Sequence, residues 1–224
     1  MKEIIGRILT STVSVIAVIF VLLLSVTIIL TLKHSTHADK VLAGDRRRRW
    51  FVYELLRTSF RSSYVMRGLI LPYNPAVPGD GTVNIETLLV TRGGVLVIST
   101  LRMSGYVDNP AHSDWIQYVG GKIYRMRNPA ELNEANVRAV RNLLRAENIS
   151  NVRVHSLLVC PDPSVQFKYN SDVIVSADNL LNYIRDIGKV SFITLRDMPN
   201  VAAAIRKYRI VPQNRQNKIN GQAH

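Results

Sequence analysis

The chain has few of the residues on which several common protein classes depend. It contains one cysteine, which excludes an intramolecular disulfide, and 16 acidic residues against 29 lysines and arginines. No glycine-rich loop matches a Walker or dinucleotide-binding motif, and no serine lies in a nucleophile-elbow motif. No internal repeat is present. These absences exclude a disulfide-stabilised scaffold and give no support for a nucleotide-binding enzyme or a serine hydrolase.

One segment supplies much of the apolar content. Ile8–Leu32 is 25 residues long and carries no charge. As a helix it would extend over about 37 Å, more than the roughly 30 Å hydrocarbon core of a bilayer. A cleaved signal peptide is disfavoured, because its apolar region is shorter and is followed directly by a small-residue cleavage site, which is absent here. The sequence therefore predicts a single-pass transmembrane anchor over residues 1–33 and a juxtamembrane linker over residues 34–45.

Basic residues are concentrated on the C-terminal side of this segment, where they culminate in the run Arg46, Arg47, Arg48 and Arg49. The positive-inside rule then predicts a protein of the cell (inner) membrane with its C-terminal domain in the cytoplasm. The arginine run itself has two interpretations, contact with anionic lipid headgroups or contact with nucleic acid. Its closeness to the predicted anchor favours the lipid bilayer.

The rest of the chain predicts an α/β domain over residues 46–210 and a basic, disordered tail over residues 211–224. Its centre is a β-hairpin over residues 83–101, with a turn at Thr91–Gly94 where glycines permit a tight reversal. Tyr64–Leu71 is predicted to form a strand before it. A loop over Pro72–Asp80, which contains three prolines, separates this strand from the hairpin.

Further elements follow from caps and periodicity. A helix is predicted to begin at Trp50 and to bury Trp50, Phe51, Leu55 and Leu56. Asn128-Pro129 is predicted to start another helix whose buried stripe comprises Leu132, Ala135, Ala139, Val140, Leu143 and Leu144. Other predicted elements are strands at Trp115–Val119, Lys122–Met126, Val152–Cys160 and Asp172–Val175, and helices at Asp178–Asp186 and Pro199–Lys207. Cys160 is interpreted as a small core residue.

Positive charge is not confined to the membrane flank. Residues 46–224 carry 25 basic and 13 acidic side chains, a net charge of +12. Such a surface attracts DNA, RNA or an acidic lipid surface, and the charge alone does not distinguish them.

Four blocks of the sequence resemble the nuclease-related domain family, NERD, which has the restriction-endonuclease-like fold. The blocks are Tyr64–Pro72, the hairpin 84–105 ending in Ser104-Gly105, Asn128-Pro129 at a helix start, and Leu157–Ile184. Together they span nearly all of residues 44–187. The resemblance implies a mixed sheet flanked by helices, here preceded by one transmembrane helix.

The resemblance also implies where a nuclease centre would lie. The family has an Asp on the first hairpin strand and Glu-x-Lys on the second, and these residues would hold Mg²⁺ and orient water. In this sequence the corresponding residues are Glu86, Ser99 and Leu101. The family's helix carboxylate falls in Arg47–Trp50, which has no acid, and a glutamine expected after Asn-Pro is Leu132. The expected catalytic set is therefore incomplete, and no metal cofactor is predicted.

These observations predict a membrane-anchored, catalytically degenerate nuclease-fold domain that acts as a cytoplasmic binding or scaffold module. Its expected partners are the bilayer and proteins of an envelope-spanning secretion or DNA-transfer assembly. Two alternatives remain open. One is a Mg²⁺-dependent nuclease with relocated ligands, for which Asp108, His112 and Asp114 are candidates, and the other is a membrane DNA-tethering module.

Overall fold

The computed structural model describes residues 50–61, 64–77 and 79–211. The predicted anchor, the linker, the arginine run and nearly all of the predicted tail lie outside these described residues. Among the described residues, no helix has the length and apolar character needed to cross a membrane.

The described chain forms nine strands and four helices. The helices are α1 (residues 50–59), α2 (Pro129–Ala146), α3 (Leu180–Gly188) and α4 (Met198–Lys207). The strands are β1 (Val65–Pro72), β2 (Thr82–Thr91), β3 (Gly94–Thr100), β4 (Tyr106–Asp108), β5 (Trp115–Val119), β6 (Lys122–Met126), β7 (Val154–Cys160), β8 (Gln166–Phe167) and β9 (Ile174–Ser176).

The larger sheet has the strand order β1-β2-β3-β7-β9. Its first three strands form an antiparallel meander, and β7 and β9 continue the sheet parallel to β3. Strand β3 is therefore central, with Thr87 opposite Ile98 on one side and Leu158 beside Ser99 on the other. Residues 95–98 are all buried, as expected for a continuous apolar run in a strand that is covered on both faces.

Helices cover both faces of this sheet. On one face, α2 and α4 pack over a core that includes Leu88, Val97, Val140 and Ile205. On the opposite face, α1 and α3 contribute side chains to a second core with Leu96, Ile98 and Val159. The architecture is a mixed α/β sandwich, which confirms the predicted fold class for the described residues.

A smaller sheet with the order β6-β5-β4-β8 lies beyond the end of β3. Its inward side chains, among them Val107 and Trp115, join Leu101, Met103 and Leu158 in a third apolar cluster. Gly120 and Gly121 both have positive φ and form the two-residue turn of the predicted β5–β6 hairpin.

The turn of the central hairpin is packed inside the domain. Thr91 and Gly94 are paired, so Arg92-Gly93 forms a two-residue turn. A Cβ on Gly93 would lie 2.4 Å from the Ile187 carbonyl oxygen, and Gly94 has a φ of +126°. The Arg92 carbonyl oxygen accepts hydrogen bonds from the backbone of Phe192 and Ile193, at 2.8 and 2.9 Å. Gly93 is required because a side chain there would clash with Ile187, and Gly94 is required because of its positive φ.

The predicted helix faces were right in part. In α1, Leu56 is fully buried as predicted and Val52 is buried as well, whereas Trp50 and Phe51 are about half exposed. In α2 the predicted Ala139, Val140, Leu143 and Leu144 are buried, but the first turns differ, because Asn133 and Val137 are buried while Leu132 is 45% exposed. The predicted loop after β1 begins one residue too early, because Pro72 pairs with Thr82 as the last residue of β1.

Candidate functional site

Glu86 is the only carboxylate at the three hairpin positions that the family resemblance singles out. Its Oε1 accepts a hydrogen bond from the Thr100 hydroxyl at 2.6 Å, and its Oε2 accepts one from the Thr100 backbone N–H at 3.2 Å. The last backbone pair between β2 and β3 is Thr87 with Ile98. The Glu86 carboxylate therefore adds a contact between the two strands just beyond their last paired residues. Both oxygens of Glu86 are engaged in holding the base of the hairpin together.

The hydroxyl of Ser99 is hydrogen-bonded to helix α2. Its hydroxyl donates to Oδ1 of Asn133 at 2.8 Å. The Asn133 amide nitrogen donates to the Val97 carbonyl oxygen and to the Ser156 hydroxyl, each at 2.9 Å. Asn133 is only 1% exposed, and a buried amide is costly unless it is hydrogen-bonded. These bonds satisfy the amide and tie β3, β7 and α2 together.

Leu101 lies one residue beyond the end of β3 and is 3% exposed. Its backbone N–H donates to the Val159 carbonyl oxygen at 2.8 Å, which continues the parallel pairing with β7. Its side chain packs in the third cluster, where Met103, Trp115 and Cys160 are also buried. The position that would hold the family's lysine is therefore ordinary apolar core.

These residues do not fit a magnesium ion. Mg²⁺ binds oxygen ligands in near-octahedral geometry, usually through one or two carboxylates together with water or phosphate. Glu86 already accepts two hydrogen bonds from Thr100, Ser99 donates its proton to Asn133, and Leu101 has no ligand atom in its side chain. The described residues also contain no group of three or more histidine, cysteine or acidic side chains placed to hold a metal.

The helix position at which the family has its remaining acid also has no carboxylate in this chain. Arg47 to Arg49 lie outside the described residues, and Trp50, which is described, is 51% exposed. The Arg67 guanidinium lies 4.8 Å from the centre of the Trp50 ring, a cation–π distance. The first acid of α1, Glu54, forms an ion pair with Arg57 at 2.9 Å.

The alternative ligands Asp108, His112 and Asp114 lie around the smaller sheet. Asp108 forms a 2.8 Å ion pair with Lys168, and this contact raises the pKa of Lys168 above its ordinary value. His112 and Asp114 are exposed. Asp108 and Asp114 line a shallow depression of about 400 Å³, together with Arg125 and Lys168. Two cations in this depression make it a poor site for a divalent metal.

Cys160 and His155 also have defined contacts inside the domain. Cys160 is 5% exposed in the third cluster and donates weakly to the Asp162 carbonyl oxygen, so it is a core residue as predicted. His155 donates from Nε2 to the Gly93 carbonyl oxygen at 3.0 Å, beneath the hairpin turn. Burial lowers the pKa of His155, and the nearby Arg153 and Arg141 lower it further.

Sequence reasoning missed Asn133 and Thr100, the two residues that satisfy Ser99 and Glu86. A signal for Asn133 was available, because it lies four residues before Val137 and seven before Val140 on one helical stripe. A polar residue on an apolar stripe requires a buried partner. Thr100 gives no comparable signal, since threonine is common in strands.

The fold of the described residues indicates a structural class. A mixed sheet with an antiparallel hairpin, a parallel continuation and helices on both faces is compatible with the restriction-endonuclease-like fold. The family model of the nuclease-related domain, NERD, matches residues 43–161. This match covers more than half of the chain, so the chain belongs to the NERD family, as its sequence resemblance predicted. Neither a curated protein nor a solved structure matched the chain.

Proposed function

We propose that this chain is a membrane-anchored NERD domain that binds a partner at the cytoplasmic face of the inner membrane and does not cleave nucleic acid. The observation that carries the proposal is the closed hydrogen bonding of Ser99 with Asn133 and of Glu86 with Thr100. A magnesium site needs several oxygen ligands, and of the three hairpin positions only Glu86 offers a carboxylate. The Ser99 hydroxyl is engaged with Asn133, and Leu101 has no polar side-chain atom.

The charge of the domain supports attachment beside a membrane. The +12 charge of residues 46–224 attracts a surface rich in acidic lipid, and only the predicted linker of residues 34–45 separates the predicted anchor from the arginine run. A binding module held there suits a component of an envelope-spanning secretion or DNA-transfer assembly. The fold then contributes a rigid surface rather than a reaction centre.

The enzymatic part of the proposal is tested with the full chain in mild detergent and supercoiled plasmid DNA. We expect no nicking with Mg²⁺ or Mn²⁺ beyond that seen with EDTA. Glu86→Ala is the informative variant, and Asp186→Ala is the matched control, because Asp186 is an exposed acidic residue on α3. Metal-dependent nicking that is lost in Glu86→Ala but kept in Asp186→Ala would refute the proposal.

The binding part of the proposal is tested by affinity purification of the full chain from detergent-solubilised membranes. We expect the same protein partner in repeated purifications at both low and moderate salt. Recovery of DNA alone, with binding that weakens steeply as salt rises, would instead support the tethering alternative, because release of counterions gives that slope.

A further inference from the structure

Among the described residues, strand β6 is an unpaired sheet edge, and its side chains are unusually exposed. It lies at one end of the smaller sheet, paired on one side with β5, and every residue from Lys122 to Arg125 is exposed. Ile123 is 67% exposed and Tyr124 is 47% exposed, although they point to opposite faces. A strand exposed on both faces and along one edge has the geometry to accept another strand.

The ladder determines which backbone groups of β6 are available. The two-residue turn makes Val119 and Lys122 a hydrogen-bonded pair, and such pairs alternate along an antiparallel ladder. Lys122, Tyr124 and Met126 therefore direct their N–H and C=O groups towards β5. Ile123 and Arg125 direct theirs to the free edge. These groups are two residues apart, which is the spacing at which a neighbouring strand forms its hydrogen bonds.

The side chains of this edge are basic and apolar. Lys122 and Arg125 lie on the strand and Arg127 follows it, while β6 itself contains no acidic residue. Register places Ile123 beside Tyr118, which in turn lies beside Tyr106. The outer face next to the edge is therefore an apolar strip, and Arg125 lies on the same face.

We infer that β6 binds an extended acidic segment of a protein partner by strand addition. Main-chain hydrogen bonds to Ile123 and Arg125 would give affinity. On the outer face, an apolar side chain of the segment would lie beside Ile123, and a carboxylate two residues along would pair with Arg125. Lys122 would attract a carboxylate on the opposite face. This inference rests on the proposed binding function and identifies the surface and the partner chemistry.

A second copy of the chain does not fit this edge, because two β6 strands would bring together only cations and no carboxylate. Like charges close together across two strands destabilise their pairing. Single-stranded nucleic acid fits less well than a peptide. It cannot use the backbone groups of a strand edge, and on the outer face the residue nearest that edge, Ile123, is not aromatic. The Tyr106 and Tyr118 rings are tilted by 50° at 5.9 Å, instead of presenting parallel open faces for base stacking.

The test uses the full chain in mild detergent and fluorescence anisotropy with a labelled peptide. The probe is an extended peptide of about six residues, a usual strand length, in which threonine separates valine and glutamate so that both lie on one face. A valine–lysine peptide, in which lysine replaces glutamate, and single-stranded oligothymidylate serve as comparison probes. Ile123→Pro removes the outward N–H and is compatible with an edge position, whereas Ile123→Val keeps it. Arg125→Glu reverses a charge on the edge, and Arg138→Glu reverses an exposed charge on α2 as its control.

We expect the acidic peptide to bind and the valine–lysine peptide not to bind. Ile123→Pro and Arg125→Glu should each weaken binding by about tenfold, the effect of losing one good hydrogen bond or charge contact. Ile123→Val and Arg138→Glu should leave it unchanged. Absence of binding by the acidic peptide, or binding unaffected by Ile123→Pro, would overturn the inference. Oligothymidylate binding that is lost in Arg125→Glu but kept in Ile123→Pro would overturn it in favour of nucleic acid.

Failure of this inference is distinguishable from failure of the proposed function. Metal-dependent plasmid nicking by the same preparation refutes the proposed function whatever the peptide does. A partner recovered equally well by the full chain and by its Ile123→Pro variant refutes the edge as the docking surface and leaves the binding function standing.

Discussion

Restoring the family's residues in the hairpin should destabilise the domain, and the two substitutions should differ in their cost. Ser99→Glu introduces a carboxylate at a partly buried position, and Leu101→Lys introduces an ammonium group at a position that is 3% exposed. Ser99 has a hydrogen-bond partner to lose, since its hydroxyl donates to Asn133. Leu101 has apolar neighbours to lose, including Trp115 and Met103.

The magnitudes follow from these environments. Leu101→Lys removes a buried side chain from its cluster and must bring a charge to water along its stem. We therefore expect a loss of about 2–4 kcal/mol in the free energy of unfolding. Ser99→Glu leaves the Asn133 oxygen without its donor, but the carboxylate can reach solvent, so we expect a loss of about 1–2 kcal/mol. The double variant should lose less than the sum, because residues two apart on a strand share a face and the new charges attract.

The assay is equilibrium unfolding followed by tryptophan fluorescence. The chain has two tryptophans, and a Trp50→Phe background leaves Trp115, which lies in the same cluster as Leu101. Ser99→Ala removes the hydroxyl without adding charge, and Leu101→Met nearly conserves volume, so the second should cost less than about 1.5 kcal/mol. A Leu101→Lys variant as stable as its parent would refute the reasoning and would mean that the position opens to a wet cleft.

Three other predictions concern separate parts of the chain. Because burial lowers the pKa of His155 below 6.5, the unfolded state binds more protons, and the melting temperature should fall as pH drops below that value. His155→Gln should flatten this dependence in melts between about pH 7.5 and about pH 5, and an unchanged profile would contradict it. Gly93→Ala should destabilise the domain by about 1–3 kcal/mol in urea unfolding, because its Cβ would clash with Ile187. Gly188→Ala, whose Cβ meets open space, should change stability by less than about 0.5 kcal/mol, and equal effects would refute the clash. A fluorescent fusion at His224 should fluoresce in the cytoplasm, whereas an active alkaline-phosphatase fusion there would reverse the orientation.

Elements with local signals were predictable from the sequence. Asn128 caps α2 by accepting a hydrogen bond from the Ala130 N–H at 2.9 Å, as the Asn-Pro pair predicted. The central hairpin and the Gly120-Gly121 hairpin were predicted because glycine and short turns restrict which residues can pair. In each of these cases the information lies within a few residues of the element.

Elements that depend on distant contacts were not predictable. Strands β4 and β8 are three and two residues long and pair with each other across about 60 residues of chain, so neither has a sequence pattern of its own. The prediction for the first turns of α2 was wrong for a related reason. Leu132 fits an apolar stripe by periodicity, but the polar contacts of Asn133 with Ser99 and Ser156 orient the helix so that Leu132 faces outward.

The same contacts make the hydrogen bonding at position 99 depend on two elements, β3 and α2. A carboxylate at position 99 would face Oδ1 of Asn133, which repels it. Turning the amide over would offer Nδ2 to that carboxylate, but the Val97 carbonyl oxygen would then lose the donor it now has at 2.9 Å. Serine on β3 and asparagine on α2 are therefore matched, because each orientation of the amide satisfies one set of partners. An acid at position 99 alone therefore leaves a buried polar group unpaired, so the residue at position 99 and the residue at position 133 must change together.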